Sequence, residues 1–162
     1  MNMMTAAVAY AFHLMDVSNH KMPYDKDFIK DIIEQIVPST SNNQELETLI
    51  KIARWESGGF NPDVVSCKVK GDHGLAHGLF QVHPWNENEA SRACSKDIGI
   101  QADLALERVR MSVSMCKRFG KFGSDLLTGY TVGHCVSNEK EAALRWGTGK
   151  TIKKLLETED DK

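Results

Sequence analysis

The chain lacks any apolar run approaching the ~20 residues that a membrane-crossing helix requires, so stable membrane insertion is not expected. It also lacks a surplus of either charge: 20 Lys and Arg stand against 22 Asp and Glu. Both signs are interspersed, which leaves no basic stripe of the kind that holds nucleic acid, and no nucleic-acid partner is expected. No Lys or Arg precedes Lys21, and His13 and Asp16 interrupt the first apolar stretch, so a secretory signal is not recognisable there. Met4, Val8, Phe12 and Met15 instead read as one face of a short helix over residues 4–16. There is no Cys-x-x-Cys pair, no internal repeat and no low-complexity linker. Four cysteines, Cys67, Cys94, Cys116 and Cys135, allow three pairings, and their spacing chooses neither among these nor against free thiols. Cys116 lies on a helical apolar stripe and reads as a small buried thiol. At 162 residues the chain fits one domain with a sizeable core.

What is present is mostly helical periodicity. Tyr24 to Val37 carries Phe28, Ile29, Ile32, Ile33, Ile36 and Val37, a wide apolar face that Pro38 ends. Ser39 to Asn43 supplies N-cap candidates for a following helix, Asn43–Glu56. Helix resumes over Glu87–Cys94 and then from about Ile98 to Phe119, where Leu106, Val109, Val113 and Cys116 form a stripe. Leu126–Thr131 and Glu139–Leu156 complete the helical set, and 157–162 is a charged tail. Residues 58–86 break this period with five glycines and two prolines, and hold two β-like pieces, Asp63–Cys67 and Gly78–Val82. An irregular stretch of that length inside a compact domain is characteristic of a binding or active-site region.

Glu56 is an acid where a helix would place a core residue. Leu46, Leu49, Ile50 and Ala53 are spaced three and four apart, and Glu56 continues their stripe just before Ser57-Gly58-Gly59 ends the helix. Apolar neighbours and the negative end of the helix dipole both disfavour an ionised carboxylate there and raise its pKa. A carboxylic acid kept protonated near neutral pH is the group a general acid requires.

Three segments follow in order: Ala53-Arg-Trp-Glu56-Ser-Gly-Gly-Phe-Asn-Pro62, then Gly71-Asp-His-Gly-Leu-Ala-His-Gly-Leu-Phe-Gln-Val-His-Pro84, then Leu126-Leu-Thr-Gly-Tyr130-Thr-Val-Gly133. In these the chain resembles the lysozyme-like superfamily that includes soluble lytic transglycosylases and goose-type lysozymes. Glu-Ser-Gly-x-x-Asn-Pro resembles its catalytic motif, Gly-Leu-Phe-Gln-Val its Gly-Leu-Met-Gln-Ile/Val motif, and Tyr130-Thr-Val-Gly133, more weakly, its Tyr-Asn-Ala-Gly motif. The resemblance spans roughly residues 43–135. It implies a mainly α, α+β lysozyme-like fold: a single domain over 1–162, with a helical body and a small β-like region flanking a substrate cleft.

The activity implied is cleavage of the β-1,4 MurNAc–GlcNAc bond of peptidoglycan, with Glu56 as acid and then base, and no cofactor. A lytic transglycosylase closes the sugar's own 6-hydroxyl into an anhydro ring, whereas an inverting muramidase needs a second carboxylate. Asp72 matches one goose-type acid, but His83 replaces the other, which tips the expectation toward transglycosylation. Ser57, Gln81, Tyr130 and Trp85 are the expected substrate contacts, with Phe80 as a further stacking candidate. The expected context is a monomer acting on the cell wall, delivered by a phage, by holin release or by specialised secretion. Two alternatives remain: a zinc-dependent wall amidase or peptidase using His73, His77 and His83 with Cys67 nearby, and a non-catalytic wall-binding domain.

Overall fold

The computed structural model describes residues 1–17 and 24–137. The expected helix 139–156 and the tail 157–162 lie outside the described residues. Helix α1 is Met3–Val17, α2 is Lys26–Ile36 and α3 is Asn43–Glu56, with a 3-10 turn at Val37–Ser39 between the last two. A one-turn helix α4 (Pro62–Val65) opens the irregular middle, α5 (Glu87–Ala93) closes it, and α6 (Ile98–Arg118) is the long central helix. A 3-10 turn, Gly123–Leu127, leads into α7, Thr128–Thr131. The fold is mainly helical.

Local chemistry sets most helix starts. Asp25, Asn42, Asn61, Asn86 and Asp97 each accept a hydrogen bond from a backbone N–H in the first turn of α2, α3, α4, α5 and α6. The start of α3 is secured twice, because the Glu45 carboxylate also accepts from the Ser41 N–H at 2.8 Å. Ile29, Ile32, Ile33 and Ile36 of α2 and Leu46, Leu49, Ile50 and Ala53 of α3 are buried in one cluster with Ala102, Leu104, Ala105 and Leu106 of α6. Helix α6 packs on α2, α3, α5 and α7 and is therefore the axis of the body.

Helix α1 buries a different face from the one its large apolar residues suggest. Ala6, Ala7, Tyr10, Ala11, Leu14 and Met15 are enclosed, whereas Val8 and Phe12 are only partly covered and Met4 is half-buried. Alanines at the contact let α1 approach α2 and α3 closely, which a Val or Phe face would prevent.

Neither expected β-like piece is a strand. Asp63–Val65 belongs to α4, because Asn61 caps it and Pro62 occupies its first turn, where a missing N–H costs nothing. Gly78–Val82 is a turn. Among the described residues, the β component reduces to two isolated antiparallel bridges, Gly71 with Ala76 and His77 with Val82.

Two disulfides brace the molecule. Cys67–Cys94 ties the irregular middle to the end of α5, and Cys116–Cys135 ties the last turn of α6 to the segment after α7. Cys116 is thus buried as a half-cystine and not as the expected free thiol.

The middle is also held from inside by Gln101, an almost fully buried amide on α6. It accepts from the Leu79 N–H at 2.9 Å and donates to the carbonyls of Val65 at 3.1 Å and Ser95 at 2.8 Å. Gly78 sits against this hub at φ +75°, and a Cβ there would lie 1.9 Å from the Ala93 carbonyl oxygen. Gln101→Ala strands one buried donor and two acceptors, so a loss of about 3 kcal/mol is expected in denaturant unfolding. A loss below about 1 kcal/mol would show that the middle does not depend on this hub.

Candidate functional site

Glu56 ends α3 and is half-buried. The helix terminates there because Ser57, Gly58 and Gly59 turn the chain away, with Gly58 at φ +66° and Gly59 at φ +86°. Ser57 is fully buried, and its hydroxyl donates to the Ala53 carbonyl while accepting from the Phe60 N–H at 2.7 Å. That side chain completes the helix end and has no face toward a substrate, which corrects its expected role as a direct contact.

The next element is the loop 60–83. Every non-glycine residue with positive φ among the described residues falls in it: Phe60, Cys67, Asp72, His73 and Gln81. Left-handed backbone at such residues costs about 1 kcal/mol or more each, and it persists only where surrounding structure dictates it. Here the hub at Gln101, the Cys67–Cys94 bridge and Gln81 itself do so. The Gln81 amide oxygen accepts from the Gly71 N–H at 3.1 Å, and its nitrogen donates to the Gly78 carbonyl at 2.8 Å. Gln81 therefore braces the loop it belongs to, leaving one N–H and one lone pair for anything outside.

Tyr130, on α7, is fixed at both ends. Its N–H donates to the Ser112 hydroxyl at 3.1 Å and its phenol donates to the Phe80 carbonyl at 2.7 Å. Gly129 makes this possible, since a Cβ there would lie 2.7 Å from Ser112 Oγ on α6. The expected donation from Tyr130 to Glu56 or to a substrate is not available, because the one phenol proton is already committed. Burial, followed by the negative charge of the Glu56 carboxylate, pushes the Tyr130 phenol well above its usual pKa, and Arg108 opposes this. Tyr130 stays a neutral donor to Phe80, and Glu56 lies close enough for its charge to act on that ring. Phe80 is itself buried, so its ring packs in the core and offers no stacking surface.

A cleft of about 980 Å³ opens along α6 between the loop and α7. Gln81, His83 and Trp85 line one side, Tyr130 and Gly133 another, and Arg108, Arg110 and Arg118 stand along its floor and rim. Glu56 is not among the residues lining this cleft. Trp85 is two-thirds exposed at 67%, with the Arg108 guanidinium 3.2 Å from its ring centre, a cation–π stack that leaves the ring's other face open. Glu89 pairs with Arg108 and accepts from the Trp85 N–H at 2.8 Å, locking that arrangement. Arg110 is bound to the Glu45 carboxylate at 2.9 Å. Neither arginine figured in the sequence reading, although both lie in a run from Arg108 to Ser124 that contains no acid.

Asp72 is exposed on a left-handed turn and pairs with His83 across 3.3 Å. His83 faces the cleft, whereas Asp72 is not among its lining residues. Among the described residues the zinc alternative finds no ligand set: no three His, Cys, Asp or Glu groups come together, Cys67 is in a disulfide, and His77 Nε2 is bonded to the Gly74 carbonyl at 3.0 Å. His73 is exposed on the same turn.

No family model, curated protein or solved structure matches the chain.

Proposed function

We propose that the protein cleaves peptidoglycan glycan strands, with Glu56 as the general acid. One observation supports this most: a half-buried acid ends a core helix and acts electrostatically on Tyr130, which shares a cleft with Gln81 and Trp85. Two of the three segments that carry the resemblance to lytic transglycosylases and goose-type lysozymes have members in this cleft, Gln81 and Tyr130, and the first bears on it through the charge of Glu56 on Tyr130. The cleft is open and has an exposed indole at Trp85, which suits a sugar ring.

In this reading Glu56 protonates the glycosidic oxygen as the bond to the anomeric carbon breaks, leaving an oxocarbenium-like centre. The resulting Glu56 carboxylate then takes the proton of the 6-hydroxyl as that oxygen closes the 1,6-anhydro ring. No second carboxylate is required for this outcome. Asp72, engaged with His83, would be the group to activate water in the hydrolytic version. Tyr130 acts by holding the loop carbonyl of Phe80 and the end of α7 in register, and Trp85 by stacking a sugar ring. The site of action would be the cell wall, reached by phage delivery, holin release or specialised secretion.

A dye-release assay on purified sacculi tests the class of chemistry. Solubilisation of labelled wall is expected to proceed at an undiminished rate in excess chelator, since no step needs a metal. Loss of release on chelation with recovery on adding zinc would overturn the reading in favour of an amidase or peptidase.

A further inference from the structure

The glycan-cleaving reading leaves the turn that ends α6 without a task. Its sequence is Lys117-Arg-Phe-Gly-Lys-Phe122, and no Asp or Glu occurs between Glu107 and Asp125. Phe119 is 69% exposed and Phe122 is 79% exposed, the two most exposed of the large apolar side chains among the described residues. Single exposed apolar residues need no explanation, but two phenylalanines set three apart among three cations form a distinct chemical surface.

The turn is also held in shape. Gly120 at φ +73° ends the helix, its N–H donating to the Lys117 carbonyl at 2.9 Å while the Lys121 N–H donates to the Cys116 carbonyl at 3.0 Å. This is a Schellman ending, yet the position that ordinarily folds back as an apolar contact is a lysine here. Cys116, at the base of the turn, is bonded to Cys135, and Lys121 Nζ donates to Ser137 Oγ at 2.6 Å. The phenylalanines are therefore displayed on a braced loop, which reduces the ordering cost of inserting them into a partner.

We propose that residues 117–122 are a peripheral docking surface for an anionic lipid bilayer. Aromatic rings favour the zone between headgroups and acyl chains, and cations beside them are drawn to a negative leaflet; reversible surface binding needs both signals together. A second copy of the chain fits poorly, because a self-complementary contact would bring Lys117, Arg118 and Lys121 against their own counterparts. A soluble or wall-borne polyanion would use the cations and leave both phenylalanines in water. Arg118 belongs to both the turn and the cleft rim, so a docked molecule would hold its cleft beside the membrane surface. The proposal does not rest on the cleavage reading.

Co-sedimentation of the full chain with large vesicles tests it. Binding is expected with phosphatidylcholine vesicles containing phosphatidylglycerol, and little with phosphatidylcholine alone. Lys117→Gln with Lys121→Gln should weaken binding roughly five-fold per cation, or on the order of 25-fold together. Phe119→Ser with Phe122→Ser should reduce binding at least as much, with an unchanged melting temperature. Glu56→Gln should bind as the parent does, which separates this surface from the active site. No binding to anionic vesicles would overturn the proposal. So would equal binding by the phenylalanine variant, which would mark simple polyanion attraction, or a concentration-dependent dimer abolished by that variant in vesicle-free sedimentation.

Discussion

Glu56→Gln is expected to reduce wall lysis by roughly 10²- to 10⁴-fold, the usual contribution of a positioned general acid. The substitution keeps the side chain's shape and removes only its ability to hand over a proton. Glu56 is half-buried at the end of α3, and Leu46, Leu49, Ile50 and Ala53 hold that helix independently of it. The melting temperature should therefore stay within a few degrees of the parent's, so that lost lysis is lost chemistry. Tyr130→Phe separates positioning from catalysis. It removes the bond to the Phe80 carbonyl, and its effect on rate should be smaller than that of the Glu56 change. Lysis by Glu56→Gln within about ten-fold of the parent would exclude position 56 as the acid.

The second large effect is on stability. Cys67–Cys94 closes a loop of sequence separation 27 and Cys116–Cys135 one of 19. Chain-entropy arguments assign about 3–4 kcal/mol to each, large against the 5–15 kcal/mol typical of a whole domain. Opening both should lower the melting temperature by on the order of 20 °C in a chain of this size. The effect is specific in place as well as size. The first bridge holds the loop that carries five left-handed non-glycine residues, and the second holds the segment following α7. Scanning calorimetry with and without reductant, with alkylation to confirm the thiols, measures it. A melting temperature unaffected by complete reduction would contradict the role given to the bridges.

Periodicity made α2, α3 and α6 legible, because large apolar residues recur at helical spacing along the buried face of each. It also placed α1 but misjudged its face, because Ala6, Ala7 and Ala11 join Tyr10, Leu14 and Met15 at the contact. The segment 63–67 looked strand-like through Val64 and Val65, but the Asn61-Pro62 start outweighed that preference locally. Gln81 adopts a left-handed backbone that no spacing rule assigns to a glutamine, and so the turn at 78–82 was hidden. Gln101 was invisible for a related reason: a polar residue on a core stripe reads as an interruption until its three backbone partners are known.

As candidates, Glu56, Gln81, Tyr130 and Trp85 were legible in motif order and side-chain chemistry, and of these Gln81, Tyr130 and Trp85 line the cleft. Their working partners were not legible there. The Tyr130 hydroxyl is spent on Phe80, the Gln81 amide on its own loop, and the Ser57 hydroxyl on a helix end, each by a bond to backbone far less specific than any motif. The stack of Arg108 on Trp85 is not legible in the acid-free run from Arg108 to Ser124, because spacing does not show which ring a guanidinium meets.

Mass spectrometry of peptidoglycan digested by the purified protein measures the bond broken and the fate of its proton in one spectrum. Fragments ending in 1,6-anhydro-muramic acid, absent from a Glu56→Gln digest, are the predicted result. Intact glycan strands with released stem peptides would contradict the account.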